Sequence, residues 1–159
     1  MEDPSQLLKY LNHTLTGELK PGKFMTMLLM FWDAPKSMLS YASAGHENLI
    51  VWRPSTRRAE AITSGGSPLG ISRTTGGPTG NVEMVLAPGD TVVTYTDGVT
   101  EAMDMEDNEY TLERLLALVN HYGGRSPQEI QDAILQDVAK HRGKREQTDD
   151  ITMVLLRRV

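Results

Sequence analysis

The 159-residue chain contains no cysteine, which excludes a disulfide framework, a thiol nucleophile and any thiolate metal site. No apolar run reaches the length of a membrane span, and the opening residues lack the pattern of a signal peptide. A cytoplasmic setting, with no membrane partner, is therefore the expectation. An excess of positive charge is missing too: 16 Lys and Arg face 21 Asp and Glu, for a net charge of −5. That balance argues against nucleic acid as the main partner. The one basic cluster, Lys140-His141-Arg142-Gly143-Lys144-Arg145, falls at the end of a predicted helix, where cations complement the helix dipole. Neither an internal repeat nor a low-complexity tract interrupts the chain. Its length and its 39% hydrophobic content suit one domain, residues 1–159, with a sizeable core.

The pattern along that domain is strands first, with helices early and late. Asp3-Pro4-Ser5-Gln6 reads as a capped helix start, and Leu7, Leu8, Leu11 and Leu15 follow at helical spacing, with Gly17 suited to the exit. Phe24–Phe31 is a continuous apolar run between turn signals and predicts a buried strand. Ser37–Ala44 and Asn48–Arg53 predict two more strands joined by Gly45-His46-Glu47, and Arg58–Ile62 a weaker one. Thr63 to Gly80 is rich in Gly, Ser, Thr and Pro and predicts a loop anchored by Leu69 and Ile71. Asn81–Leu86 alternates like a half-exposed strand, and Pro88-Gly89-Asp90 is expected to turn it into Thr91–Thr96 as a hairpin. A helix after Thr111 stops before Gly123-Gly124, and Ser126-Pro127-Gln128-Glu129 forms a capping box for a second one, with Ile130, Ile134 and Val138 on its apolar face. Ile151–Leu156 predicts the last strand. Successive strands without intervening helices rule out a parallel doubly wound sheet and point to a layered α+β fold.

Two features suggest chemistry. Thr91-Val92-Val93-Thr94-Tyr95-Thr96-Asp97-Gly98 delivers an aspartate at the end of a buried strand, straight into a tight turn. The pair Asp149-Asp150 leads directly into the last strand. Asp-Gly alone is a common turn, but strand-end carboxylates from distant parts of a chain are a way to assemble a site for hard divalent cations, which prefer oxygen ligands. His46 could act as an acid, a base or a phosphate contact, or its side chain could cap its own turn, the reading adopted here. Glu101 with Asp104, Glu106 and Asp107 reads as a solvated acidic patch. Thr96 and Thr152 are expected to serve the sheet, the nine Met residues to fill core, and Trp32 and Trp52 to pack in the core or at a strand edge. Gly65-Gly66 could suggest a phosphate loop, but no lysine follows at the required spacing.

Ala42-Ser43-Ala44-Gly45-His46, Gly66-Ser67-Pro68-Leu69-Gly70-Ile71, Leu86-Ala87-Pro88-Gly89-Asp90, Tyr95-Thr96-Asp97-Gly98-Val99-Thr100-Glu101-Ala102 and Asp149-Asp150-Ile151-Thr152 occur in an order that resembles the SpoIIE/RsbU-type serine phosphatases. These are a bacterial branch of the metal-dependent PP2C-like (PPM) phosphatases, and the resemblance runs from about Pro4 to the end of the chain. It implies a layered α-β-β-α sandwich of mainly antiparallel sheets with flanking helices. It also implies a binuclear Mn²⁺ or Mg²⁺ centre, at which a bridging water attacks a phosphoserine or phosphothreonine in one step. By the same resemblance Asp97 and Asp149 are the candidate catalytic metal ligands. Asp150 is placed beside the metal to orient a ligand or a water, and Gly98 has a packing and a turn reason, letting the backbone reverse tightly there.

The resemblance has a gap. The family's core carries an N-terminal portion with a first metal-binding aspartate near Gly-Gly-Asp and an Asp-x-Ser-Gly-His-Gly-like segment, and no counterpart occurs here. The fold is therefore expected to be incomplete at its N-terminus, with metal affinity weakened. An exposed sheet edge would then favour a homodimer. Smaller departures are Glu47 after Gly45-His46, and Thr111 where the family often has Gly. The resemblance implies a phosphorylated regulatory partner of the STAS type, an anti-sigma-factor antagonist, and a sensor or receiver domain upstream in the parent protein. The alternative is a catalytically incomplete phosphatase-like module that holds its partner without turnover.

Overall fold

A computed structural model of the chain describes residues 3–72 and 78–159; the loop expected at Thr74 to Gly77 lies outside them. The chain divides into two compact units, Met1–Glu47 with Thr63–Leu86, and Asn48–Ile62 with Ala87–Val159.

In the first unit, helix α1 (Pro4–Glu18) starts at the expected cap, with the Ser5 N–H donating to Asp3 Oδ1 at 2.8 Å and Pro4 in the first turn. It runs past Gly17 because the Leu19 N–H still reaches the Leu15 carbonyl at 2.9 Å. Leu8 joins Ala42, Ala44 and Leu69 in a small apolar cluster, with Leu11 and Leu15 at its margin. Buried Asn12 ties the helix to the loop, donating to the Ser72 carbonyl at 2.8 Å and accepting from the Gly70 N–H at 2.9 Å. Strands β1 (Met27–Asp33), β2 (Met38–Ala44) and β5 (Val82–Val85) form an antiparallel sheet in the order β1-β2-β5. The run from Phe24 is not the buried strand that its composition suggests. Phe24 is exposed, Met25 makes only an isolated bridge to Leu69, and β1 is a half-buried edge strand with one neighbour.

The second unit holds strands β3 (Leu49–Arg53), β4 (Arg58–Ile62), β6 (Thr91–Tyr95) and β7 (Met153–Arg157), antiparallel in the order β4-β3-β6-β7. One face is covered by α3 (Leu112–Tyr122) and α4 (Pro127–Arg142), whose Leu115, Val119, Ile130, Ile134 and Val138 pack with Ile50, Trp52, Val93 and Tyr95. Burying each such aliphatic side chain stabilises the fold by about 1.5–3 kcal/mol. The capping box forms in full: Glu129 N–H donates to Ser126 Oγ at 3.2 Å and Ser126 N–H to Glu129 Oε2 at 2.9 Å. Gly123 ends α3 for a packing reason, since a Cβ there would overlap the Trp52 ring. The two tryptophans differ, Trp52 being buried and Trp32 on β1 exposed, and Met25 and Met105 are also exposed rather than core filling.

The hairpin expected across Pro88-Gly89-Asp90 does not form. β5 pairs with β2, whereas β6 lies between β3 and β7. The turn between them is claimed by other partners. Buried Asp90 accepts from the Ala87 N–H at 2.9 Å and from Arg53 Nη1 at 2.5 Å. Gly89 N–H donates to the Arg158 carbonyl at 2.8 Å, and Leu86 N–H to the Ser37 carbonyl at 2.9 Å. These bonds send the chain from one sheet to the other instead of folding it back on itself. Among the described residues no helix is long and apolar enough to cross a membrane.

Candidate metal centre

Strand β6 is buried along its whole length and ends at Tyr95. Thr96 remains extended, and Asp97 then opens a single helical turn, α2 (Asp97–Thr100), closed by the Glu101 N–H on the Asp97 carbonyl at 2.8 Å. The turn expected after Asp97 is therefore helical. On the neighbouring strand, β7 begins at Met153, two residues later than the apolar run suggests. Thr152 still pairs with Thr96, accepting from the Thr96 N–H at 3.0 Å and donating its own N–H to Thr96 Oγ1 at 3.0 Å. The same hydroxyl donates to the Asp150 carbonyl at 3.0 Å. Thr96 thus joins the segment carrying Asp97 to the one carrying Asp149 and Asp150. Its sheet role was legible in the sequence, but not this second duty.

Gly98 brings the two segments into contact. A Cβ at this position would stand 2.5 Å from the Asp150 carbonyl oxygen, 3.0 Å from its carbonyl carbon and 3.4 Å from the Asp149 carbonyl oxygen. The backbone of Asp149-Asp150 lies directly against Gly98, so only glycine fits. The requirement is close approach of a second chain segment rather than the turn itself.

Each leading carboxylate is oriented by a local N–H. Gly98 N–H donates to Asp97 Oδ1 at 2.9 Å, and Asp150 N–H donates to Asp149 Oδ1 at 2.7 Å. Gln147 Nε2 donates to the Asp149 carbonyl at 2.8 Å. Asp97, Asp149 and Asp150 are all exposed, and among the described residues no Lys, Arg or His forms an ion pair with any of them. Uncompensated carboxylates gathered on two adjoining segments are the donor chemistry that a hard cation requires. Oδ2 of Asp97 and Oδ2 of Asp149 carry no hydrogen bond among the described residues. The donor set is partial, however: among the described residues no group of three or more His, Asp or Glu side chains is placed to hold an ion.

A cleft of about 230 Å³ opens beside the pair, with Gly98, Glu101, Ala102 and Met103 on one wall and Arg142, Glu146, Gln147, Thr148 and Asp149 on the other. Behind the first wall, the acidic stretch is exposed at Glu101, Glu106 and Asp107, as read, and it also forms an organised turn. Asp104 Oδ1 accepts from the Glu106 N–H at 2.8 Å and the Asn108 N–H at 2.9 Å, and Asn108 Nδ2 donates to Oδ2 at 3.0 Å. The Asn108 side chain and these two N–H groups lower the Asp104 carboxyl to a pKa of about 2. Between α3 and α4, Arg114 grips Asp137 with Nε at 2.8 Å and Nη2 at 3.0 Å, and Tyr110 donates to Asp137 Oδ2 at 2.7 Å. The guanidinium holds the Asp137 carboxyl below its ordinary value, while burial and then Asp137 push the Tyr110 phenol well up. His46 belongs to the other unit. Its turn is held through the backbone, by His46 N–H to Ser43 Oγ at 3.2 Å and by Ser64 Oγ to the His46 carbonyl.

This architecture matches known proteins. The family profile described as Stage II sporulation protein E (SpoIIE) covers residues 1–159. Phosphoserine phosphatase RsbU of Bacillus subtilis (strain 168) is 32% identical over 163 residues, covering 98% of this chain and 45% of that protein. Protein IcfG of Synechocystis is 29% identical over 137 residues, covering 85% of this chain and 21% of that protein. Among solved structures, the SiaA-PP2C domain of Pseudomonas aeruginosa superposes with a TM-score of 0.84 at 21% identity, over 98% of this chain and 60% of that one. The PP2C phosphatase domain of SpoIIE from Bacillus subtilis, solved with a fragment of its regulatory domain, gives 0.79 at 21% identity, over 99% of this chain and 44% of that one. The fold is that of the PP2C phosphatase domains. The chain belongs to the SpoIIE family, and it spans less than half the length of the two curated relatives that it matches.

Proposed function

We propose that residues 1–159 form one domain of a PP2C-like protein serine/threonine phosphatase, in which Asp97 and Asp149 help to hold Mn²⁺ or Mg²⁺. The observation that carries this reading is the contact of Gly98 with the Asp149-Asp150 backbone, which brings two unpaired carboxylates from distant parts of the sequence onto adjoining segments. When bound, two such cations would lower the pKa of a water and offset charge developing on the phosphoryl oxygens. The chain's own contribution is positional. The Gly98 and Asp150 N–H groups hold one oxygen of each ligand and leave the other without a hydrogen bond among the described residues, and Thr96 fixes the spacing of the two segments. Asp150, next to Asp149, would orient a ligand or a water rather than bind the cation directly. The substrate in this reading is a phosphoserine or phosphothreonine on a regulatory protein, of the STAS type by family resemblance. The relative RsbU, a phosphoserine phosphatase, supports that substrate class. The relatives, of which this chain spans 45% and 21%, support a longer parent; a sensor or receiver domain in it is what the family resemblance implies.

A second reading has its own observation. The described residues gather no three-ligand group, which fits a module that binds a phosphorylated partner without turnover. Release of phosphate from a phosphoserine peptide in Mn²⁺ or Mg²⁺ separates the two. The phosphatase reading expects release that Asp97→Asn and Asp149→Asn each reduce by about a hundredfold. Release that is absent in wild type, with partner binding retained, supports the module instead.

A further inference from the structure

We infer that Arg145 is a positioning residue for Asp149, clamping the segment that carries this ligand to the organised turn at Asp104–Asn108; the inference rests on the metal-site reading above.

Asp149 stands at the far end of a segment, residues 143–152, that has no helix or strand before Met153. Near Asp149 the segment is tied within itself by Gln147 and the Asp150 N–H and to the neighbouring strand by Thr96, while its first half is held elsewhere. Gly143 leaves α4 at φ +60°, and the Arg145 N–H donates to the Arg142 carbonyl at 3.1 Å, with Arg142 Nη1 returning to the Arg145 carbonyl at 3.2 Å. This local turn carries the Arg145 side chain to the turn behind the other wall of the cleft. There Nη1 donates to the Asp104 carbonyl at 2.8 Å and to Asp107 Oδ1 at 2.5 Å. The two contacts span 41 and 38 positions in sequence and join the turn that follows α2 to the segment that leads to Asp149.

The receiving turn is built to be rigid. Asp104 is fixed by the Glu106 and Asn108 N–H groups, and the Met103–Glu109 bridge closes the loop behind it. The Arg145 side chain is 32% exposed and Asp107 80% exposed. An ion pair so open to water contributes little, whereas a cationic donor on a fixed backbone carbonyl is the stronger half of the clamp. With its first half held at Arg145 and its second half held by Thr96, the segment has one path past Gly98, and Asp149 emerges at a set position.

Amide hydrogen exchange and Mn²⁺ titration on the full chain test this, comparing wild type, Arg145→Ala and Arg145→Lys. In Arg145→Ala the Asp150 and Thr152 amides, which donate to Asp149 Oδ1 and Thr96 Oγ1, are expected to exchange about tenfold faster, and Mn²⁺ affinity to fall about tenfold, the effect of losing support behind a metal ligand. Lys, which keeps a charged donor without the fork, is expected to recover part of both, and it keeps the test open if the Ala variant does not fold. Unchanged exchange at Asp150 in both variants overturns the clamp, with or without metal. Absence of Mn²⁺ binding in wild type overturns the metal reading instead, and the exchange rates still decide whether Arg145 holds the segment.

Discussion

Replacing Gly98 by alanine tests the geometry of the centre with a single methyl group. The added Cβ would sit 2.5 Å from the Asp150 carbonyl oxygen and 3.0 Å from its carbonyl carbon. Non-bonded carbon and oxygen need at least ~3.0 Å, so one segment must move by about 0.5 Å or more, and both are backbone that cannot swing aside. The Asp150 segment is held by the Thr96 hydroxyl and by the Thr96–Thr152 pair, each at 3.0 Å. Displacement therefore strains those bonds as well as moving Asp149. Overpacking of this kind costs about 1–3 kcal/mol, which lowers the melting temperature of a chain of this length by roughly 3–10 °C. Gly80→Ala is the control, because its Cβ meets nothing within 4 Å. Thermal melts followed by circular dichroism, with Mn²⁺ titration of the same samples, read both consequences. Gly98→Ala melting together with Gly80→Ala, and binding Mn²⁺ as wild type does, would refute the close approach and with it the pairing of the two aspartate segments.

Asp90 is 1% exposed and holds Arg53 Nη1 at 2.5 Å and the Ala87 N–H at 2.9 Å. Asp90→Ala leaves both donors without their acceptor and is expected to destabilise the chain by about 2–4 kcal/mol in urea unfolding; a loss near zero contradicts the turn's role in sending the chain between sheets. The Asp104 carboxyl is expected to titrate at about pH 2 by carbon NMR. Its folded value lies below the ordinary ~3.9, so its stabilising effect is present above about pH 4 and is lost as pH falls toward about 2. The gap in melting temperature between wild type and Asp104→Ala should accordingly narrow over that window, and a constant gap would contradict the assignment.

The local parts of this structure were legible in the sequence because they rest on neighbouring residues. The Asp3 cap, the Ser126–Glu129 capping box and the apolar face of Ile130, Ile134 and Val138 need only spacing to be recognised, and all are present. Arg58–Ile62 was legible to the residue for the same reason. Pairing was harder, because alternation shows that a strand exists but not which edge it meets. Pro88-Gly89-Asp90 has the composition of a hairpin turn, and only the distant groups of Arg53 and Arg158 claim it for another path. The apolar run at Phe24 predicted burial, yet a strand at a sheet edge has one neighbour and leaves such residues exposed. At the site, Asp97, Gly98, Asp149 and Asp150 were marked by their positions at strand ends, and the structure brings their two segments together. Thr96 and Arg145 were not, since their partners lie 54 and 41 residues away and no spacing rule links them.

The central claim is that Asp97 and Asp149 hold a divalent cation in common. Calorimetric titration of the chain with Mn²⁺, repeated on Asp97→Asn and on Asp149→Asn, tests it most directly. The account predicts binding in wild type that either single substitution weakens by at least about tenfold, as expected when a charged ligand of a hard cation is neutralised. Mn²⁺ binding that survives both substitutions unchanged, or no binding in wild type up to millimolar metal, would contradict it.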